Sequence, residues 1–276
     1  MNRPAPSVQI RDARVPRACV TEVSESGSVP TLLLVNNTEH TEFLLDGEEL
    51  VGAKQNRILN LSLLGLARTT LEIPVSCVEL GRWSRRSREF ASTERTLFSR
   101  GRARKAERVS ENLRESGLHV TDQGEVWDDI KYKIVNMAVN SSSDAMADAY
   151  DLFSGSVEEY VQAFSTGATQ VGACFAINGK IRGIELFDMS DTCQKLLPKL
   201  IRSYALDAIE ERHQTDAPAT HDVGEFIAAV GAASADCFKA LGEGEDLRFR
   251  SNSVAGGALA ARERVVHLCA FSRYVR

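Results

Sequence analysis

The chain has 276 residues, 43% apolar and 26% charged, which is enough for a real core in one large domain or two ordinary ones. That balance excludes a disordered polymer, a fibrous repeat and a disulfide-stapled miniprotein. No apolar run reaches the roughly 20 residues that cross a bilayer, and MNRPAPSVQIRDARVPRACV lacks an apolar signal segment, so a cytoplasmic protein with no membrane partner is expected.

Residues 1–29 are rich in Pro, Ser and Arg and read as an extension with at most one strand. From Thr31 the texture changes to short apolar runs punctuated by turns. TLLLV, NNTEH and FLL-DG-EELVG predict a strand, a loop and a hairpin turned at Asp46-Gly47. RILNLSLL and LEIPVSCVELGRW follow. Pro74 lacks an N–H for a ladder, so its strand is expected to lie at an edge or to start after it. Residues 31–83 thus predict an antiparallel β unit.

The net charge of −5 conceals an asymmetry. Residues 1–110 carry 17 Lys/Arg against 13 Asp/Glu, and residues 111–276 carry 16 against 25. Much of the basic excess falls in Arg82–Arg108, with nine Arg and one Lys against three Glu. Guanidinium groups suit phosphates. With Glu interrupting the run in an acidic protein, it reads better as a connector whose arginines pair with the acidic C-terminal half. Its end, ARKAERVSENLRES, predicts a polar helix stopping near Gly117. A long helical stretch from IKYKIVN through VEEYVQAF follows, with Ser143 or Asp144 as a cap within it and Thr166-Gly167 at its end.

The C-terminal part contains two sixteen-residue segments, GACFAINGKIRGIELF (172–187) and GGALAARERVVHLCAF (256–271). Both open on Gly and Ala and close on Phe. Asn178-Gly179 is a strong hairpin turn, and Arg262-Glu263 holds the same offset in the second. Between them, DTCQKLLPKLIRSYALDAIEER from about Ser190 has apolar residues at helical spacing, with Pro198 expected to kink or split it. GEFIAAVGAASADCFKAL predicts a second, small-residue helix packed on the sheet. The fold class expected is α+β: an antiparallel β unit in the N-terminal part, then helices and two β-hairpins packed on sheet. One domain over 30–276 is expected, with 30–116 and 117–276 as possible sub-units.

Cys19, Cys77, Cys174, Cys193, Cys237 and Cys269 never approach CxxC spacing, and the histidines show no HExxH pattern, so no metal is asked for and no cofactor can be named. The candidate ligand-binding residues come from polar-dense strands. In EELVGAKQNR, alternation puts Glu49, Gln55 and Arg57 on one face, with Asn56 on the other. In IPVSCVELGRW, Cys77, Glu79 and Trp83 share a face and Arg82 takes the other. Glu49 and Glu79 could form a carboxylate pair. Arg82 and Trp83 could stack on a base or clamp a phosphate. Cys77 reads as a buried structural thiol, because the carboxylate beside it disfavours a thiolate. Gln123 and Trp127 in DQGEVW form another polar–aromatic group. Asp188 precedes a helix and reads better as a helix-start carboxylate than as a site residue. Glu49, Gln55, Arg57 and Glu79 are expected to converge on one concave surface, with Arg82 or Trp83 at its rim.

The runs LLDGEELVGAKQNRILN, IPVSCVELGRW, DQGEVW, GKIRGIELF, LLPKLIRSYALDA and VAGGALAARERVVHLCAF resemble the ARG-and-rhodanese-phosphatase-associated protein domain family over roughly residues 30–272. The resemblance implies an intracellular role near ADP-ribose, nucleotide or phosphate chemistry. It supplies no reaction and no catalytic residues. Three functions stay open: an accessory protein or enzyme for a nucleotide-like, ADP-ribose-like or phosphorylated small molecule; a non-catalytic homo-oligomer or adaptor for a partner protein; and, least favoured, nucleic-acid binding through Arg82–Arg108.

Overall fold

The structure, a computed structural model, describes residues 18–81, 83, 87–212 and 222–273. Eight strands come first: β1 (Ala18–Glu22), β2 (Thr31–Asn36), β3 (Glu42–Leu44), β4 (Glu48–Gly52), β5 (Arg57–Leu59), β6 (Leu63–Gly65), β7 (Thr69–Cys77) and β8 (Glu89–Thr96). Six of them close into an antiparallel barrel in the order β1-β2-β7-β5-β4-β8, while β3 and β6 pair with each other. Alternation in β2 sends Leu32, Leu34 and Asn36 inward, and the lumen fills with Val20, Leu50, Leu59, Ile73, Val75 and Phe90. Closure leaves no open barrel edge. Its seams are unequal: β1 meets β2 over five residue pairs but β8 over only two, Val20 with Phe90 and Thr21 with Glu89.

Three local expectations in this unit are corrected. Asp46-Gly47 is not a hairpin turn, because β3 and β4 belong to different sheets. Gly47, at φ +75°, steers the chain from one to the other, and Asp46 is drawn inward by Lys105 and Arg102. Residues 49–57 are not one strand. Gly52 at φ +141° and Ala53 at φ +38° fold the chain back, making β4 and β5 the arms of a hairpin. A Cβ on Gly52 would lie 2.6 Å from the Glu89 carbonyl, so the bend needs glycine. Pro74 sits inside β7 rather than at its start. It is tolerated because it marks a change of partner: the pairing with β2 ends at Pro74, and pairing with β5 begins at Val75.

Four helices follow: α1 (Ser99–Ser116), α2 (Gln123–Asn136), α3 (Met146–Leu152) and α4 (Ser154–Ala163). The α1 helix ends on Gly117 at φ +70°, whose N–H returns to the Leu113 carbonyl, a left-handed glycine stop. Asp122 caps α2 by accepting the Glu125 N–H at 3.1 Å. The cap expected at Ser143 or Asp144 is not formed: Ala145 holds the N-cap of α3 without a side-chain cap, and its own N–H goes to the Ser141 hydroxyl at 3.0 Å.

The remainder comprises β9 (Gly172–Ile177), β10 (Lys180–Phe187), α5 (Ser190–Glu210), α6 (Val223–Ala232), β11 (Ala235–Lys239), β12 (Glu245–Arg250), β13 (Val254–Ala261) and β14 (Arg264–Ser272). The strands form one antiparallel sheet, β11-β12-β13-β14-β10-β9. Both expected hairpins are present, and their inner arms β10 and β14 pair with each other, Gly183 opposite Phe271 and Phe187 opposite His267. Each turn has two residues at positive φ: Asn178 and Gly179 at +50° and +74°, Arg262 and Glu263 at +53° and +61°. Pro198 leaves α5 unbroken over its 21 residues. The second helix is shorter than expected. Residues 235–239 leave it to become the edge strand β11, because Cys237 and Phe238 pair with Leu247 and Asp246 of β12.

The α5 helix is the central pillar. Leu196, Leu197, Leu200 and Ile201 pack with Phe43, Leu45, Phe187 and Leu259, joining the β3–β6 region to the large sheet. Ala205, Leu206 and Ile209 pack with Ile130 and Ile134 of α2, Tyr150 of α3 and Val157 of α4. The fold is α+β with antiparallel sheets. No described helix is long and apolar enough to cross a membrane.

Candidate functional site

The reversal at Gly52-Ala53 carries Gln55 and Arg57 to the end of β7 and the start of α2. Around Cys77 these elements build one hydrogen-bonded group. The Gln55 amide donates to the Glu79 carbonyl at 3.0 Å and accepts from the Arg57 guanidinium at 2.9 Å. The Asn56 N–H donates to the Glu79 carboxylate at 3.3 Å. Gln123 fastens α2 to the strand from both sides, accepting the Cys77 N–H at 2.7 Å and donating to the Cys77 carbonyl at 2.9 Å. The Cys77 thiol lies 3.2 Å from both the Gln55 amide oxygen and the Glu79 carbonyl. Burial pushes that thiol up, although Arg57 and the Trp127 indole N–H favour the thiolate. Cys77 is fully buried, as its apolar flanks predict.

Trp83 forms the outer face. It is 50% exposed, and its ring is approached by the Lys54 ammonium at 5.2 Å and the Arg57 guanidinium at 5.7 Å, both within cation–π range. The structure therefore brings together Gln55, Asn56, Arg57, Glu79, Trp83, Gln123 and Trp127. Three other candidates stand apart. Glu49 projects to β8, accepting from Arg95 at 2.6 Å and Thr93 at 3.0 Å, and burial raises its pKa against those partners. It binds different groups from Glu79, so no carboxylate pair forms. The strand reversal after Val51 is the physical reason. Asp188 lies at the end of β10 near Arg264, at 3.7 Å, with burial raising its carboxyl. It precedes α5 by two residues, the helix-start position expected. Arg82 lies outside the described residues.

The described part of the basic run is largely folded into α1. Arg102 and Lys105 are buried, and they anchor an ionic group that sequence reasoning missed. Arg102 binds Glu185 at 2.5 Å and Asp46 at 3.4 Å, and Lys105 also binds Asp46. Burial opposes ionisation of Asp46 and Glu185, but these cations outweigh it and hold both carboxyls below their usual range. His267 lies 3.0 Å from the Glu185 carboxylate through Nε2 and 2.9 Å from the Ser62 hydroxyl through Nδ1. Arg248 binds Asp246 nearby at 2.7 Å. A cavity of only about 10 Å³ touches Ser62, His267, Asp46 and Arg248, room for one water and no substrate. With three carboxylates against three cations, this group is a clamp between barrel, α1 and sheet. Its members lie at 46, 102, 185 and 267, and no local pattern links them. Among the described residues no group of three or more His, Cys, Asp or Glu could hold a metal ion.

The family model of the ARG and Rhodanese-Phosphatase-superfamily-associated Protein domain matches residues 10–271. No curated protein and no solved structure matches the chain.

Proposed function

The chain belongs to the ARG and Rhodanese-Phosphatase-superfamily-associated Protein domain family, and on that premise we propose that it binds a planar, phosphorylated, nucleotide-like ligand at Trp83. One observation carries this reading: a half-exposed indole has two cations against its ring, directly beside a hydrogen-bonded polar group. An exposed tryptophan is a stacking platform for a base. Lys54, partly exposed, offers charge to a phosphate, while Arg57, fully buried and held by Gln55, backs the ring from inside, so little ordering is needed on binding. ADP-ribose and adenine nucleotides combine these features.

Intrinsic fluorescence tests the reading, because the chain has only two tryptophans and both belong to this group. Titration with ADP-ribose, ADP or AMP is expected to give saturable quenching. Trp83→Ala should weaken binding by the ~1–3 kcal/mol of one stacked base, roughly 5- to 150-fold, with an unchanged melting temperature. No saturable response to any of the three ligands would refute the proposal. A second reading, an interaction module, draws on the sheet edges. The edge strand β11 carries Asp236 and Lys239, whereas the opposite edge β9, GACFAI, has no charge to discourage strand addition. Sedimentation over a concentration series distinguishes a self-associating chain from a monomer.

A further inference from the structure

A second site lies where the start of α1, the last turn of α5, β10 and the end of β14 enclose a cleft of about 320 Å³. That volume is in the range of small-molecule sites. Four guanidiniums line it, those of Arg100, Arg104, Arg182 and Arg273. Each already has a carboxylate. Arg100 binds Glu210 at 2.7 Å and Arg273 binds Glu107 at 2.8 Å, while Arg182 holds Glu211 and Arg104 holds Asp129. The positive end of α1 is likewise occupied, since Asp207 accepts the Arg100 N–H at 2.8 Å.

This alternation of guanidinium and carboxylate decides the ligand class. An extended polyanion such as nucleic acid would bring phosphates against Glu107, Asp207 and Glu211. A small ligand with one anionic group and several hydroxyls meets both sets of partners: guanidiniums donate to phosphate oxygens, and carboxylates accept from hydroxyls.

The anion has a natural place. The Arg182 side chain is only 12% exposed, and its Nε donates to no acceptor among the described atoms. Burial lowers the pKa of Arg182 despite Glu211 and Asp207, whereas that of Arg100 is raised by its acidic neighbours against the same penalty. Burial also raises the Glu211 carboxyl. The Arg182 guanidinium is therefore short of counter-charge, and a phosphate in the cleft would add it at the exposed part of the side chain. Arg100 is steadied by the Tyr132 ring at 5.3 Å.

We propose that this cleft binds a phosphorylated sugar, with its phosphate on Arg182 and its hydroxyls on Glu211 and Glu107. The proposal is independent of the Trp83 reading. Calorimetric titration of the full chain with ribose 5-phosphate, ribose and inorganic phosphate tests it. Ribose 5-phosphate is expected to bind saturably and at least tenfold tighter than either fragment. Arg182→Gln should weaken ribose 5-phosphate at least tenfold, and Glu211→Gln should weaken it while sparing inorganic phosphate. If Arg182→Gln lowers the melting temperature, Glu107→Gln at the cleft wall replaces it, with the same loss expected. Trp83→Ala should leave this binding intact, so the two sites fail separately. Absence of heat with millimolar ribose 5-phosphate, equal affinity for inorganic phosphate, or full affinity in the folded cleft variants would overturn the proposal.

Discussion

At the scale of single residues, Cys77 shows how burial governs reactivity. Its thiol is pushed up by desolvation and enclosed by Gln55 and Glu79, so little thiolate exists at neutral pH. Iodoacetamide with mass spectrometry should label the exposed Cys237 first and leave buried Cys77, Cys193 and Cys269 unmodified until the chain unfolds. Rapid labelling of Cys77 in the folded protein would contradict the geometry. The carboxylates set the pH dependence. Asp46, Glu185 and Asp207 have folded pKa values below their unfolded ones, because buried cations outweigh desolvation. Their stabilisation is complete above about pH 4–5 and is lost as pH falls through the folded values. Glu49, Asp129 and Glu211 are raised by burial; their cost at neutral pH is relieved as pH falls toward their folded values. Urea midpoints should therefore stay level or rise slightly on mild acidification and drop steeply below about pH 4. A steady decline beginning at neutral pH would show that the buried cations do not hold these carboxylates. Much of the Trp83 group was legible in the sequence, since Gln55, Arg57, Glu79 and Trp83 come from polar-dense segments close enough to become neighbours. Glu49 was not, because alternation cannot reveal a chain reversal at Ala53.

At the scale of elements, the paired hairpins differ in the quality of their turns. Asn178-Gly179 puts glycine at the second left-handed position, whereas Glu263 holds φ +61° with a side chain. A left-handed residue with a Cβ costs ~1–2 kcal/mol, partly offset by the greater unfolded freedom of glycine. Glu263→Gly should therefore raise stability by up to about 1 kcal/mol, and it leaves the Arg262–Glu243 ion pair in place. A lower denaturation midpoint would show that Glu263 contributes something beyond its backbone. The hairpins were readable because turn chemistry is local. The length of α6 was not. Ala-Ser-Ala-Asp-Cys-Phe-Lys is acceptable in a helix, and only the β12 partner draws its end into the sheet. The Asp46-Gly47 turn failed for the opposite reason: strong local turn chemistry was overridden by Lys105 and Arg102 more than fifty positions away.

At the scale of the whole molecule, Arg102 ties three parts together: its own helix α1, Asp46 beside the barrel, and Glu185 in the large sheet. Arg102→Met should cost about 3–5 kcal/mol, because it strands buried carboxylates. The double variant Arg102→Met, Glu185→Gln should recover part of that loss, and equal destabilisation of single and double variants would argue against an ionic clamp. The clamp fits basic α1 against acidic groups from both sides of it in the chain, Asp46 before and Glu185 after. One consequence concerns motion. The barrel closes through only two residue pairs between β1 and β8, and local opening follows the least protected contact. Deuterium exchange should accordingly be faster at Thr21 and Glu89–Phe90 than along the six-pair β2–β7 junction. The β4–β5 seam also has two pairs, but its strands are the arms of one hairpin, whereas β1 and β8 are joined by no turn. Breathing at the β1–β8 seam would wet Val20 and Phe90 first and let solvent into the lumen.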